Sequence, residues 1–390
     1  MIRRVLLVLV AMLTIALVGA FTVLPRWVDR DLNRVVAGPP VDISPAAAQL
    51  HARLRIADMH DDLLLWSLRD PIKQHARGHT DVPRLLAGNV TLQVFSTVSK
   101  TPKNQNYDHN TGDTDNITLL AITQRWPIAA WSSLFERARR TSRALDDAAS
   151  RSDGALRVVR TRAQLADGLA ARQQGERVLL GVLSLEGMQV TEGNVDNVDS
   201  LFALGFRMAG LTHFFDNELG GSAHGVSKAG LTPFGREAVA RMERVGILVD
   251  LAHAAPQLIE DVLQIATRPV VVSHTGVQGT CAGVRNLTDD HLRRIAATGG
   301  VIGIGYWDAA VCEITPASVA RAIVYAVSIA GEDHVALGSD WDGAVTTSFD
   351  ATDLVRITDA LLDAGMSESV TAKVMGENLL RLLGTTLPDA

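Results

Sequence analysis

The sequence of 390 residues contains only two cysteines, Cys281 and Cys312. They permit at most one disulfide and lack the paired spacing of a zinc ribbon or a redox motif. The sequence also has no run of lysine and arginine interleaved with aromatic residues, and its net charge is −6 with a pI near 6.0. These absences exclude the electrostatic pattern of a nucleic-acid-binding protein. We therefore expect a small-molecule substrate and no nucleic-acid partner.

No internal repeat and no low-complexity tract stands out. Hydrophobic residues make up 47% of the chain and charged residues 21%, close to the averages of globular proteins. A chain of this composition can bury a core, so neither a disordered nor a collagen-like protein is expected. The length fits one large domain or two ordinary ones, and we expect one large domain.

The N-terminus carries the one long hydrophobic run. Val5 to Leu24 contains no charged residue and is long enough to span a bilayer. Arg3 and Arg4 precede it, which favours a cytoplasmic N-terminus and places the rest of the chain outside the cytoplasm, in a periplasm beyond an inner membrane. A cleaved signal peptide is the alternative, because Val18–Ala20 fits a small-residue cleavage site. We favour a retained anchor, because the apolar run continues past that site.

Four regions follow from these patterns. Residues 1–28 are predicted to form the anchor or signal. Residues 29–45 are predicted to be a tether, because prolines and a glycine in AGPPVDISP interrupt any periodicity. Residues 46–386 should form the globular body. Within it, residues 99–157 open with a long polar stretch and are predicted to be an insertion.

The body alternates short apolar runs with amphipathic segments, which is typical of a parallel sheet with crossover helices. Five segments have helical periodicity: Arg162–Gln173, Phe234–Val245, Ala255–Thr267, Thr288–Thr298 and Pro316–Ala330. Eight runs have the character of buried strands: Arg55–His60, Val90–Val98, Val178–Glu186, Phe206–His213, Ile247–His253, Pro269–His274, Gly300–Trp307 and Val335–Asp340. Eight strands with alternating helices predict a (β/α)8 barrel. A doubly wound open sheet is the main alternative.

Six of these runs end in, or just before, a group that can bind a metal or move a proton. In a barrel, the carboxyl ends of all strands meet on one face, so residues far apart in sequence converge there. A single such residue is most simply a helix cap or a core residue, but the coincidence on six strands argues against chance. The predicted cluster consists of His60, Asp62, Glu186, His213, His253, His274 and Asp340.

The segment His60–Asp62 has the pattern His-x-Asp, which places alternate side chains on the same side of an extended chain. Both side chains can then face one cation. Asp61 should point away, and we expect it to be a surface or capping residue.

Glu186 ends a very apolar strand, where an unpaired carboxylate is costly and a cation would stabilise it. Its two oxygens could bridge two metals. His253 and His274 close two successive strands and could bind the second metal. Imidazole nitrogens and carboxylate oxygens suit zinc, although manganese or iron use the same donors.

Nine short motifs have an order and spacing that together are highly specific. They span roughly Ile56 to Leu383: Asp58–Leu63, Thr80–Leu85, Leu185–Gly187, Leu211–His213, Gly230–Gly235, Val249–His253, Val272–His274, Val284–Leu287 and Gly338–Gly343. In these motifs the sequence resembles the membrane dipeptidase, or renal dipeptidase, family of binuclear zinc peptidases, which have amidohydrolase-type barrels. The resemblance implies a dipeptide substrate and two zinc ions that hold the attacking hydroxide between them.

Matching positions carry the family's ligand roles. The resemblance implies that His60 and Asp62 bind one zinc ion, that Glu186 bridges, and that His253 and His274 bind the other.

The same resemblance implies three roles toward substrate. His213 would contact the substrate and polarise the developing oxyanion. Arg285 would hold the substrate carboxylate. Asp340 would contact the substrate and carry the proton from the nucleophile to the leaving amine.

Alternatives remain open within this fold, because fold does not determine reaction. One is another amidohydrolase-type reaction, such as deacylation of an N-acyl amino acid or lactone hydrolysis. Arg285 discriminates, because a carboxylate clamp suits dipeptides and N-acyl amino acids but not neutral lactones. A catalytically inactive binding protein is less favoured, because all candidate ligands are retained. The preferred side chains, their stereochemistry and a possible homodimer stay open.

Several further polar residues receive a structural interpretation. Asp342 is a candidate for supporting the site, whereas Ser273 and Ser339 have no expected base nearby and are poor nucleophiles. His224, in a glycine-rich loop, could still touch substrate. We expect seven histidines to be surface or loop residues: His51, His75, His79, His109, His224, His291 and His334.

Overall fold

A computed structural model describes residues 2–38 and 41–389. Within them the strands are β1 (Arg34–Val35), β2 (Ile56–Asp61), β3 (Val90–Phe95), β4 (Leu156–Val158), β5 (Leu179–Leu185), β6 (Phe206–Gly210), β7 (Leu248–Asp250), β8 (Val271–Thr275), β9 (Val301–Ile304), β10 (Val335–Leu337) and β11 (Thr346–Thr347). The α-helices are α1 (Ile2–Val18), α2 (Leu24–Leu32), α3 (Pro45–Arg53), α4 (Val82–Ala87), α5 (Asn116–Thr123), α6 (Leu134–Arg151), α7 (Arg162–Gln173), α8 (Asn197–Ala203), α9 (Pro233–Val245), α10 (Pro256–Ile265), α11 (Asp289–Ala297), α12 (Asp308–Val311), α13 (Pro316–Ala330), α14 (Val355–Asp363), α15 (Glu368–Ala372) and α16 (Asn378–Thr386).

Eight parallel strands close into a barrel. The order is β3-β2-β10-β9-β8-β7-β6-β5, and β3 also pairs with β5, which closes the ring. The short strand β4 adds to β5 outside this ring, and β1 pairs with β11 in a separate two-stranded sheet. The predicted (β/α)8 barrel is confirmed, and the open doubly wound sheet is excluded because the ring has no free edge.

Every predicted strand is present, but several end earlier than the apolar pattern suggested. Of the run Ile247–His253 only Leu248–Asp250 (β7) is strand, and of the run Val335–Asp340 only Val335–Leu337 (β10). The backbone leaves the strand before the polar residue, and φ becomes positive at His253 (62°) and Asp340 (59°). Non-glycine residues rarely adopt such a conformation, and where they do it is often at functional sites.

The five predicted helices are confirmed to within two residues at each end. In α9, the Thr232 side chain accepts a hydrogen bond from the Gly235 amide, and Pro233 occupies the first turn. Gly246 ends the helix with φ 96°, a conformation that glycine adopts without cost. Apolar residues of these helices and of the barrel strands form one large buried core.

The predicted insertion is ordered. It contains α5, a 3₁₀ helix at Ile128–Trp131 and α6, which lies on the β3-to-β5 connection. The guanidinium of Arg137 in α6 is buried and donates to the Ser99 carbonyl and to the carboxylate of Asp115. Side chains of this region, including Ile117 and Trp126, form a small core of their own beside Trp66. This core fixes the polar stretch over one side of the barrel mouth.

At the N-terminus, helices α1 and α2 are joined by a π-helical turn at Gly19–Val23 into one helix of 31 residues. Its length and hydropathy make it a candidate membrane span, and no residue of α1 is buried. A retained anchor and a signal sequence both fit this helix.

The end of this helix and strand β1, which follows it, lie against the barrel within residues 29–45, the range predicted to be a tether. The buried carboxylate of Asp29 lies 2.6 Å from Arg77 Nε and 3.2 Å from Arg69 Nε, and β1 pairs with β11. Two cations and a strand partner supplied by distant parts of the chain hold this segment, and neither is visible in the local composition. Pro39 and Pro40 lie outside the described residues.

A disulfide joins Cys281 to Cys312, whose Cα atoms are 5.5 Å apart. It links the loop after β8 to the loop after β9 at the carboxyl face of the barrel. Disulfides persist in oxidising compartments, so this pairing agrees with export from the cytoplasm.

Candidate metal centre and active site

The carboxyl ends of the barrel strands bring the predicted cluster together. Its members are buried, and so is Arg285 from the loop after β8: His60, Asp62, Glu186, His213, His253, His274 and Asp340 with Arg285. They come from six strand ends and one loop, so only barrel closure makes them neighbours. Three-residue sets whose donor atoms lie within 4.8 Å of one another are His60–Asp62–Glu186, Glu186–His213–His253 and His60–His274–Asp340.

Glu186 lies at the centre of this cluster. Its Oε1 atom is 2.8 Å from His253 Nε2 and 3.2 Å from His274 Nε2, and those two nitrogens are 3.1 Å apart. The same oxygen is 3.8 Å from His60 Nε2, and the ring centres of His60 and His274 lie 3.8 Å apart. Burial is the main reason that the pKa of Glu186 is raised well above its usual value. A carboxylate among three imidazoles has the donor chemistry of a metal ligand, and its second oxygen allows it to bridge.

The His-x-Asp pair faces the same cavity. His60 Nε2 is 3.5 Å from Asp62 Oδ2, and neither that nitrogen nor either Asp62 oxygen has a hydrogen-bond partner among the described residues. Burial raises the pKa of Asp62 to about 8, and the charge of Asp342 adds to the effect. Buried polar groups are rarely left without partners. A divalent cation would satisfy all three atoms, so these residues fit a metal.

Gly343 makes room for this arrangement. A Cβ atom added there would lie 2.2 Å from Asp340 Oδ1 and 2.8 Å from Asp62 Oδ2. Both distances are far below normal contact, so a larger residue would displace the carboxylates.

The histidines of the cluster favour the neutral form. Burial lowers the pKa of His253 and of His274 well below the usual value, with the charge of Arg285 adding to the shift. Neutral imidazole is the form that binds metals. Ser273, dismissed as a nucleophile, does have bases nearby: its Oγ lies 2.9 Å from His274 Nδ1 and 3.3 Å from His60 Nδ1. It thus orients two candidate ligands so that their Nε2 atoms face the cavity.

His213 and Asp340 border the metal cluster. His213 Nε2 lies 3.3 Å from Glu186 Oε2, and its Nδ1 lies 3.3 Å from the Lys100 carbonyl oxygen. A carbonyl only accepts, so Nδ1 carries the proton in the neutral ring. Burial lowers the pKa of His213 to about 3. Burial also raises the pKa of Asp340 to about 7, although nearby His60 opposes that shift.

Arg285 extends from the disulfide-linked loop over the same cavity. Its Nη2 donates to the His274 carbonyl at 2.9 Å, and its guanidinium lies 4.8 Å from the centre of the Trp307 ring. Among the described residues no carboxylate lies within salt-bridge distance of it, and its Nε has no partner. Burial lowers its pKa. A buried cation with free donors is suited to binding a ligand carboxylate.

These residues line one cavity of about 490 Å³. Glu186, His213, His253, Arg285 and Asp340 form its polar end. Its apolar walls come from the insertion, from α2 and from barrel loops: Leu24, Pro25, Val28, Leu32, Leu65, Trp66, Val98, Ile117, Leu119, Leu120 and Val345. Away from the metal cluster the lining is therefore largely apolar, with a polar stretch from the insertion that includes Gln105, Asn106 and Asn116.

Sequence patterns missed Tyr107 and underestimated His224. Tyr107 comes from the insertion, lines the cavity and accepts a hydrogen bond from Trp307 Nε1 at 3.1 Å. His224 is fully buried, stacks on Phe214 with ring centres 4.5 Å apart, and its Nδ1 lies 3.0 Å from the Tyr107 carbonyl. Burial lowers the pKa of His224 to about 4. No local pattern marks either residue, because the loops that carry them meet only over the barrel mouth.

The expectation that the other histidines are surface or loop residues is wrong in part. His51 and His291 contradict it, because they lie in α3 and α11 and are buried against neighbouring helices. His79 and His224 do lie in loops, as expected, although both are fully buried. The imidazole of His51 contacts Thr358 Oγ1 and the Gly88 carbonyl, which explains how a polar ring is accommodated there.

Asp61 and Asp342 are both fully buried. Asp61 is fully buried rather than on the surface, but it does cap, since its Oδ1 accepts from the Leu63 amide at 2.6 Å. Asp342 accepts from Arg69 Nη1 at 2.9 Å and from the His79 amide at 2.8 Å. Burial alone would raise the pKa of Asp342, but Arg69 and His79 together hold it well below its usual value.

Comparison with known proteins agrees with this geometry. The family model for membrane dipeptidase (peptidase family M19) matches residues 45–387. An uncharacterized dipeptidase of Schizosaccharomyces pombe is 26% identical over 357 residues, 84% of this chain and 79% of the relative.

Solved structures share the fold. A metallopeptidase of Rhodobacter sphaeroides, liganded with a phosphinate mimic of the dipeptide L-Ala-D-Ala, has a TM-score of 0.69 and 24% identity, covering 85% of this chain and 99% of that one. A probable dipeptidase of Pseudomonas aeruginosa has a TM-score of 0.74 and 17% identity, covering 88% and 98%. The resemblance inferred from the nine motifs is thereby confirmed. The chain belongs to the membrane dipeptidase family, peptidase family M19, and its enzyme class is metallodipeptidase.

Proposed function

We propose that this protein is a zinc-dependent dipeptidase. The observation that carries the proposal is the placement of Glu186 Oε1 among the Nε2 atoms of His253, His274 and His60, in a cavity that also contains Arg285. This arrangement would supply a bridged pair of cation sites beside a group suited to binding carboxylates.

The residues assigned to the metals fit them by donor type and by their unsatisfied atoms. His60 and Asp62 would hold one ion, His253 and His274 the other, and Glu186 would bridge. When bound, the two zinc ions would polarise the scissile carbonyl and make a shared water nucleophilic at neutral pH.

Asp340 would move the proton. Its carboxylate lies at the edge of the cluster, with Oδ1 3.9 Å from His60 Nε2. A raised pKa near neutrality allows it to accept a proton from the attacking water and to return that proton to the leaving amine.

His213 would stabilise the tetrahedral oxyanion. Because Nδ1 faces the Lys100 carbonyl, donation from Nε2 requires the imidazolium, which the negative charge of that oxygen would favour. A metal-ligand role for His213 is the competing assignment, since its Nε2 also lies beside Glu186. The metal content of His213→Ala separates them: two bound ions support the oxyanion role, and one ion supports ligation.

Metal analysis of the purified protein, combined with a substrate panel, tests the central proposal. The panel contains L-L and L-D dipeptides, because the Rhodobacter sphaeroides structure binds an L-Ala-D-Ala mimic. Glu186→Gln should lose metal and turnover together, whereas Asp340→Asn should keep two metals and lose most turnover. Equal metal loss in both variants would contradict the separation of ligand from proton carrier.

Arg285 tests the substrate class. Arg285→Ala should reduce kcat/KM for a free-acid dipeptide by about 10²-fold, and Arg285→Lys by less, because a planar fork matters as well as charge. Amidation of the substrate carboxylate should lower kcat/KM of the normal enzyme by about the same factor. For Arg285→Ala it should lower kcat/KM little further, because both changes remove the same contact. Fully additive losses would contradict the clamp.

A second candidate reaction is deacylation of N-acyl amino acids. The apolar wall formed by Leu65, Trp66, Ile117 and Leu120 favours it, because an acyl chain would bury apolar surface there. An N-acyl amino acid hydrolysed faster than every dipeptide of the panel would make this the main activity.

We further propose that α1 is retained as an anchor, with the barrel outside the cytoplasm. Arg3 and Arg4 before the span and the Cys281–Cys312 disulfide support this orientation. A reporter fused after Ala390 should then work only outside the cytoplasm, and the protein should fractionate with membranes. A soluble form beginning near Phe21 would contradict the anchor. A homodimer stays a prediction.

A further inference from the structure

Large apolar side chains are exposed where the N-terminal helix meets the insertion. Val23, Leu24 and Trp27 project from the end of the helix, and Leu119 and Ile128 project from α5 and the following 3₁₀ helix. Each is between 41% and 75% exposed. We call these five residues the apolar collar. Soluble surfaces rarely gather so many large apolar side chains, and such a patch commonly marks an interaction site.

The collar is continuous with the candidate membrane span. Arg125, just after α5, donates from Nη2 to the Phe21 carbonyl at 3.3 Å. Phe21 lies three residues before Leu24, where the uncharged run ends. At a rise of about 1.5 Å per residue, this contact lies about 4.5 Å inside that end. A chain spanning a bilayer with Val5–Leu24 would therefore bring α5 to the depth of the lipid interface.

The chemistry around the collar suits that depth. Helix α5 contains no charged residue. Trp27 is of the type enriched at membrane–water interfaces. Arg26 and Arg30 are exposed beside it and can reach lipid phosphates, while the long side chain of Arg125 can keep its charge near the surface.

We propose that the apolar collar inserts into the interfacial layer of a phospholipid bilayer, as a membrane contact additional to the anchor. The proposal rests on retention of α1, and not on the reaction catalysed. Leu24 and Leu119 belong both to the collar and to the walls of the cavity that reaches Glu186. Collar insertion therefore places the mouth of the active-site cavity at the membrane surface, and not out in bulk water.

Spin labelling of the full chain in liposomes tests this directly. Both native cysteines are in the disulfide, so a single added cysteine can be labelled selectively. Labels at Leu119→Cys and Ile128→Cys report on the collar. Gln173→Cys is the matched control, since Gln173 is exposed at the end of α7, which leads to the amino end of β5 and so to the opposite face of the barrel. The liposomes contain phosphatidylethanolamine and phosphatidylglycerol, and each label is measured for collision with oxygen and with a water-soluble nickel chelate.

We expect the two collar labels to collide several-fold more with oxygen than with nickel, and the Gln173 label to show the reverse. Nickel access at the collar equal to that at Gln173 would overturn the proposal. Protection from both reagents together with spin–spin broadening between molecules would also overturn it, in favour of a second copy as the occupant. Mass spectrometry that shows removal of α1 would also overturn the proposal, because the proposal rests on retention of that helix. None of these readouts uses turnover, so a failure of the proposed dipeptidase activity would leave this result intact.

Discussion

Asp62 and Asp342 are both buried at the carboxyl face of the barrel, but they differ in their hydrogen-bond partners and in their pKa values. Asp342 receives hydrogen bonds from Arg69, from Thr80 Oγ1 at 2.8 Å and from the His79 amide. Asp62 is equally buried, yet neither of its oxygens has a partner among the described residues. The pKa of Asp342 is held low, whereas burial raises the pKa of Asp62 to about 8.

The difference separates a structural charge from a functional one. Removing a carboxylate from water is costly, and in Asp342 a guanidinium and backbone amides offset that cost within the fold. Among the described residues no hydrogen-bond donor offsets this cost for Asp62, which is expected where a bound cation stabilises the carboxylate instead. Matched Asp→Asn changes at the two positions should therefore have opposite consequences.

The largest expected effect is the loss of function in Asp62→Asn. Removing this charge should lower turnover by on the order of 10⁴-fold, because residues that act as a unit fail together. It should lower metal content as well, yet leave the free energy of unfolding of the metal-free protein unchanged or higher, because an unsatisfied charge is gone. Metal analysis, kinetics and denaturant titration measure the three quantities. A chelator-treated variant that is clearly less stable than the normal chelator-treated protein would contradict a functional role.

Asp342→Asn should act mainly on stability. It leaves Arg69 buried without its carboxylate partner, so the free energy of unfolding should fall by about 3 to 5 kcal/mol. The folded fraction should still bind the full complement of metal. Denaturant titration at a temperature well below the midpoint checks the first statement, and metal content of the folded protein checks the second. Unchanged stability together with lost metal would show that Asp342 belongs with Asp62.

Ser273→Ala sharpens the comparison, because it removes no charge and no ligand. Loss of the hydroxyl that orients His274 and His60 should weaken metal binding by about 10- to 100-fold. Zinc titration against a competing chelator measures this. Ser339→Ala is the control, since Ser339 Oγ donates to the Asp58 carboxylate and to the His60 carbonyl and contacts neither ring. Similar losses in both variants would point to general loosening of the barrel.

The smallest effect is a pH dependence of metal affinity. With a pKa of about 8, Asp62 holds a proton at pH 6, and a cation must displace it. Apparent affinity should thus rise with pH by about tenfold per unit for each proton released, and the part of this slope that comes from Asp62 should level off above about pH 8. The histidine ligands contribute nothing to this slope, because burial keeps them neutral. Proton release measured during zinc binding at pH 6 and pH 9 tests this, and equal release at both would contradict the raised pKa.

Much of this architecture is visible in local patterns. Runs such as Val178–Leu185 and Pro269–Val272 are apolar on both faces, because helices cover the outside of a parallel barrel and strand side chains fill its interior, and that composition is local. Helix limits such as Thr232 and Pro316 follow from capping chemistry within one turn. His60 and Asp62 follow from alternation along one strand.

Other features depend on segments that meet only in three dimensions. The strand β4 is short and carries no distinctive pattern, and it pairs with Leu179–Gly181 of β5, ahead of Leu183–Leu185, which pair with β6. The docking of Asp29 needs Arg69 and Arg77, which are 40 and 48 residues away. The burial of His79 beside Asp342 and the contact of Ser273 with His60 need partners more than 200 residues away. Such contacts depend on the register and tilt of the barrel, which no local window encodes.

The candidate ligands, and the order along the chain of the strands that carry them, could be predicted from local patterns, because donor chemistry and strand composition are properties of single residues and short runs. Which of the buried charges is satisfied depends on contacts between distant parts of the chain. Asp62 and Asp342 are the same residue type, each follows a strand of the barrel, and each is buried. What differs is the presence of Arg69 and His79 beside one of them, and closure of the barrel with its loops sets that neighbourhood.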